Sequence, residues 1–154
     1  MKRLLICIKI IILFCILYFI LSMSFAKVEG DSMKPKLSNN DIIIYSKNIN
    51  DIKRFDVIIA KVNNELYIKR VIGLSGEKIE YLDEVLYVNG EKIVEPFEKS
   101  ITNDFSVDDI ISDNIIPDNK ILVLGDNRLY STDSRNFGLI DIATIKGKFI
   151  FKLF

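Results

Sequence analysis

"FDVIIAKVNNELYIKRVIGL", residues Phe55 to Leu74, decides the fold. Two runs rich in β-branched and aromatic residues flank Asn63-Asn64, a pair able to adopt the positive φ values of a tight hairpin turn. The stretch therefore reads as two antiparallel strands joined by two residues. Similar runs lie on either side of it. "DIIIYSK" (Asp41–Lys47) precedes it, and "EYLDEVLYVNGEKI" (Glu80–Ile93), "KILVLG" (Lys120–Gly125) and "GKFIFKLF" (Gly147–Phe154) follow, with Asn89-Gly90 marking a second tight turn. A mainly β fold of antiparallel sheets is expected. No stretch after Ala26 carries sustained helical periodicity, and "DFSVDDIISDNIIP" (Asp104–Pro117) reads as an irregular excursion.

The 154 residues suffice for one body with a real core. Lysine plus arginine equals aspartate plus glutamate at 21 each, so net charge offers no case for a nucleic-acid partner. Histidine is absent, which excludes a Ser-His-Asp triad and argues against a zinc site. Cys7 and Cys15 both lie in an apolar leader, so there is no disulfide framework.

That leader is the one long apolar segment. Ile10 to Ala26 contains no charge, and the 23 residues from Leu4 to Ala26 are interrupted only by Lys9. As a helix, 23 residues span roughly 34 Å, enough for a hydrocarbon core of about 30 Å. Lys2, Arg3 and Lys9 at its start place the N-terminus in the cytoplasm and everything after Lys27 outside. Ser24-Phe25-Ala26 would also suit a cleaved secretory signal, but the run exceeds the roughly 7–15 residues of a signal core. A retained transmembrane anchor is expected.

Two polar features stand out beyond it. In "VEGDSMKPKL" (Val28–Leu37) Ser32 is either a turn residue or a nucleophile, and without histidine a nucleophilic serine needs another base. Lysine can serve only if desolvation depresses its pKa from about 10.4. Along "LYIKRVIGL", strand alternation gives Lys69 a face shared with Tyr67 and Val71, while Ile68 and Arg70 point the other way. Such a lysine is either an edge-strand guard against aggregation or a buried functional amine. "LGDNRLYSTDSRNFGLI" (Leu124–Ile140) is dense in turn formers and Asp-Arg pairs. It reads equally as a hydrogen-bonded loop or as the frame of a site.

"SMKPKL", "YIKRVIGLSGE" and "GDNRLYSTDSR", in that order after an N-terminal anchor, resemble type I signal peptidases of the bacterial serine-lysine class, in their short Gram-positive form. "FDVIIA" and "YLDEVLYVNGEKI" extend the likeness. The resemblance implies a mainly β, antiparallel, signal-peptidase-like catalytic domain preceded by one transmembrane helix. It implies an anchor over 1–26 and an extracytoplasmic peptidase domain over 27–154, with 78–118 a smaller β-ribbon excursion.

By the same resemblance Ser32 is the nucleophile and Lys69 its general base. Ser131 supplies a hydroxyl that orients the amine. Asp133 pairs with Arg70 and Arg135 to buttress the site, and Asp126 belongs to the same supporting block. Val28, Met33, Leu37, Ile43, Tyr67 and Ile68 line pockets for small substrate side chains. Neither metal nor cofactor is implied. The partners implied are signal peptides of exported preproteins, the lipid bilayer and the translocation machinery. Lys36, Phe55 and the Leu74-Ser75-Gly76-Glu77 stretch depart from the usual family pattern, and Gly30 stands where some members carry an oxyanion-binding serine. Lys34 and Lys36 read as solvent-facing or lipid-headgroup contacts. A dedicated serine-lysine processing peptidase with a narrow client range, a self-cleaving repressor relative and an inactive membrane-tethered β-domain remain alternatives.

Overall fold

A computed structural model describes residues 2–153, without the side chains of residues 2–5, 15, 16, 19 and 20. The expectations resting on the side chains of Lys2, Arg3, Leu4 and Cys15 and on Phe154 lie outside the described residues. Helix α1 (Lys2–Leu21) leads into strands β1 (Met23–Lys27), β2 (Ile42–Ser46), β3 (Val57–Val62) and β4 (Glu65–Gly73). Then come β5 (Ile79–Leu82), β6 (Val85–Val88), β7 (Glu91–Ile93), β8 (Phe105–Ser106) and β9 (Lys120–Leu124). The short helix α2 (Ser134–Phe137), β10 (Ile140–Asp141) and β11 (Ile145–Lys152) complete the order. Among the described residues no helix is long and apolar enough to cross a membrane.

The decisive stretch folds as its pattern requires. β3 and β4 pair antiparallel, with Ile58 opposite Lys69 and Ile59 opposite Ile68. Asn63 and Asn64 turn between them at φ values of 49° and 70°, the left-handed pair that matches strand twist. Asn89 and Gly90 do the same for β6 and β7 at 53° and 82°. A third turn, Asp83-Glu84 at 49° and 65°, divides "EYLDEVLYV"; this pair carries no glycine or asparagine to mark it.

Seven strands form one sheet in the order β1-β2-β11-β3-β4-β9-β10, and four form a second, β7-β6-β5-β8. Every pairing is antiparallel. The excursion at 104–117 contributes β8 and a single 3-10 turn over Val107–Asp109, and plants Val107 and Ile116 in the core between the sheets.

The helix ends at Leu21, and Met23–Ala26, counted above with the anchor, are extended and paired to β2. Hydropathy cannot separate an apolar strand from the apolar helix it follows. As the sheet's edge strand, β1 leaves Phe25 68% exposed.

Candidate active site

Ser32 stands on a tight turn between β1 and β2. The turn is closed by Lys34 N–H to Asp31 O at 3.2 Å and by Leu37 N–H to Met33 O at 2.9 Å. Met33 and Leu37 anchor its inner side in a buried cluster with Val28, Ile43, Val57 and Ile59. The serine is thereby presented outward from a fixed base, into a cleft of about 720 Å³. Its backbone N–H has no hydrogen-bond acceptor among the described residues.

Lys69 reaches the same point from β4. Its Nζ lies 2.7 Å from Ser32 Oγ, and the side chain is only 4% exposed. Burial lowers its pKa from 10.5 to about 8, against the opposing attraction of Asp133 and Asp126. At pH 7 about one amine in ten is then neutral and able to take a proton, against fewer than one in a thousand at the ordinary value. The edge-guard reading fails on enclosure: β4 has only β3 as a neighbour at this position, yet the amine is buried against Ser32 rather than turned to solvent.

The loop after β9 frames the pair. Gly125 N–H donates to Asp133 Oδ2 at 3.0 Å, and Asp133 also holds Arg135 Nε at 2.9 Å while capping α2. Arg70 does not pair with Asp133 as expected. It makes a bidentate contact with Asp126, Nε to Oδ1 at 2.7 Å and Nη2 to Oδ2 at 2.5 Å. Register explains the exchange, because Arg70 lies opposite Leu124 and Asp126 is two residues farther along on the same side.

Ser131 also departs from expectation. Its Oγ is buried and has no hydrogen-bond partner among the described residues, so the bond to the lysine amine is not formed. The hydroxyl instead lies tight against Gly125, where a Cβ would come within 2.2 Å of it.

Of the six residues expected to line pockets, Val28, Met33, Tyr67 and Ile68 border the cleft, together with Ile59, Gly30 and Thr132. Leu37 and Ile43 do not. Both are fully buried in the cluster behind the cleft wall, Ile43 because β2 is flanked by β1 and β11 and turns that side chain into the core.

Several residues that shape the site were not singled out from the sequence. Asn127 donates its N–H to Ser32 O at 3.0 Å and its Nδ2 to Asp31 O at 3.1 Å, tying the serine turn to the loop. Arg128 and Glu95 form a buried ion pair at 2.5 Å behind it. Asn127 and Arg128 sit within the polar "GDNR" run, a signal that marks the loop without ranking its members. Glu95 has no comparable signal.

Comparison with known proteins gives the family. The model of the signal peptidase family, peptidase S26, matches residues 1–154. Signal peptidase I of Bacillus caldolyticus is 42% identical over 138 residues, covering 81% of this chain and 76% of that protein. Signal peptidase I V of Bacillus subtilis strain 168 is 42% identical over 134 residues, covering 79% and 80%. A crystal structure of a signal peptidase I from Enterococcus faecalis V583 superposes with a TM-score of 0.60 at 34% identity, over 66% of this chain and 98% of that one. With a family model spanning its full length and relatives matched over most of theirs, this chain belongs to the signal peptidase family, peptidase S26.

Proposed function

We propose that the chain is a serine endopeptidase that removes signal peptides from exported preproteins, with Ser32 as nucleophile and Lys69 as general base. The observation that carries the assignment of residues is the 2.7 Å approach of a buried lysine amine to the Ser32 hydroxyl. The hydroxyl proton passes to neutral Lys69 as Oγ bonds to the scissile carbonyl carbon. In this reading the unengaged Ser32 N–H donates to the oxyanion. Lys69 then returns the proton to the departing amine as the C–N bond breaks, leaving an ester on Ser32. Water, deprotonated by the same amine, adds to the ester carbon, and Lys69 returns the proton to Ser32 Oγ as the C–O bond breaks.

The substrate reading rests on the shape of the cleft. β4 pairs with β9 only from Arg70 to Gly73, so its first half, Glu65–Lys69, keeps one edge open toward the cleft. An extended peptide can add there as a strand. Val28, Met33, Tyr67 and Ile68 border the cleft, and in this reading they receive alanine-like residues before the cut and reject bulkier ones. Asp133, Arg135 and Ser131 act in this reading as supports of the dyad.

The same proposal includes a membrane anchor. It rests on the sequence from Leu4 to Leu21, apolar but for Lys9, several of whose side chains lie outside those described. The described side chains of α1 are exposed and, apart from Lys9, uncharged, among them Ile6, Ile11, Leu13 and Phe14. The chain then divides into an anchor and an extracytoplasmic peptidase body, with the four-stranded sheet an excursion from the latter. Substrate and enzyme meet in one bilayer, which raises their effective concentration.

The test is cleavage of a preprotein by the full chain in detergent or proteoliposomes, beside Ser32→Ala and Lys69→Ala. Each substitution is expected to lower turnover by about 10³-fold or more. Equal cleavage by all three would overturn the dyad.

A further inference from the structure

Arg128 is a fully buried guanidinium that the dyad mechanism does not use. It is 2% exposed, and every nitrogen is engaged. Nε donates to Gly125 O at 3.0 Å, Nη1 to Tyr81 OH at 2.9 Å and to Thr102 Oγ1 at 2.8 Å, and Nη2 to Glu95 Oε1 at 2.5 Å. Tyr81 OH donates to the same Glu95 oxygen at 2.7 Å. Glu95 and Thr102 lie on the segment between β7 and β8, and Tyr81 lies on β5, so three of these partners belong to the second sheet or its connections. The fourth, Gly125, belongs to the loop that frames the dyad.

The far end of this network is close to the reacting atoms. A Cβ on Gly125 would meet Ser32 O at 2.4 Å and Ser131 Oγ at 2.2 Å, so the Gly125 backbone is in direct contact with the serine turn. Asn127, on the same loop, holds Ser32 O from its N–H. The backbone carbonyl of Arg128 accepts from Arg135 Nη2 at 2.6 Å, which joins the residue to the Asp133 support as well. Ser100 adds a parallel tie, donating its N–H to Asp126 O at 3.0 Å.

We infer that Arg128, held by Glu95, is a positioning residue that uses the second sheet as a fixed reference for Gly125 and Asn127, and through them sets the height of Ser32 beneath Lys69. The inference rests on the dyad reading above. It gives the four-stranded sheet a task in catalysis although none of its strands lines the cleft. A buried arginine with one partner would serve stability alone; one that ties three residues, on β5 and on the β7–β8 connection, to the loop touching the nucleophile also fixes geometry. An error of about 1 Å in such geometry lowers turnover by about a hundredfold.

The test compares kcat, KM and the pH profile of full-length wild type with Arg128→Lys, which keeps the charge but cannot reproduce the forked contacts, and with Glu95→Gln. Arg128→Lys is expected to lower kcat by about a hundredfold with KM nearly unchanged. The acid limb should move upward as water gains access to Lys69. Glu95→Gln, which retains the acceptor oxygen, is expected to act in the same direction by a smaller factor. A purely structural residue would reduce the folded fraction without moving the limb. If Arg128→Lys does not fold, Glu95→Gln and Thr102→Val carry the comparison. A folded Arg128→Lys with wild-type kcat and an unmoved limb overturns the brace while Ser32→Ala remains inactive. Turnover surviving in Ser32→Ala overturns the dyad, and this inference with it.

Discussion

Lys69 Nζ and Ser32 Oγ meet at 2.7 Å although 37 positions separate them in the chain. The meeting is produced by topology: the serine turn leaves edge strand β1, while the lysine arrives from β4, four places away in the same sheet. The chemistry of the pair follows from enclosure, since an exposed lysine at the same distance would stay protonated.

The first expectation concerns pH. With Lys69 titrating at about 8, kcat/KM should fall below that value by about tenfold per pH unit. Lys69→Arg, which stays charged at every accessible pH, should remove the limb together with activity. A profile flat from pH 6 to 9 would exclude Lys69 as the base.

Stability should rise with pH, as it does around a paired carboxylate, but here through relief of a burial penalty rather than gain of an ion pair. The folded pKa of Lys69 lies below its unfolded value of 10.5, so the penalty for enclosing the charged amine is fully present below pH 8 and relieved as pH rises toward 10.5. Lys69→Met should therefore be more stable than wild type at pH 7, by up to about 3 kcal/mol, with the advantage shrinking at higher pH. Denaturant melts at pH 7 and pH 10 decide it.

Gly125→Ala should be nearly inactive. The added methyl would meet Ser32 O at 2.4 Å, and backbone does not yield as a flexible side chain does. The expected loss in kcat is about a hundredfold, with destabilisation of about 1–3 kcal/mol. Activity within twofold of wild type would show that the loop and the serine turn separate easily.

Removing Asp126 should act on stability first. Asp126→Ala leaves Arg70 buried without its bidentate partner, which should destabilise by about 3 kcal/mol or more. Asp126 also raises the Lys69 pKa, so its loss should shift the acid limb of the surviving activity downward. Chemical denaturation and a pH profile measure the two effects separately.

The strands and the β3–β4 turn were legible because alternation and the Asn63-Asn64 pair are local signals. The Ser32 and Lys69 pairing was legible only as a resemblance, for no local pattern joins two strands four places apart. Where the reading departed from the structure, the deciding physics was nonlocal. Arg70 took Asp126 through cross-strand register, Ile43 went behind the wall through sheet order and Leu37 by anchoring the inner side of the serine turn, and Ser131 stayed without a hydrogen-bond partner among the described residues while packed against Gly125. β1 was hidden by the apolar helix before it, and the Arg128–Glu95 pair joins segments 33 positions apart.

Only Ser22 stands between α1 and β1, and its carbonyl accepts from Lys47 N–H at 2.9 Å. A joint that short has no slack. Under the proposed anchoring, tilt or vertical travel of the helix passes directly into the strand that carries the nucleophile's turn, so helix length acts as a depth gauge. Inserting one helical turn, about 5.4 Å, would choose a different bond in the same preprotein.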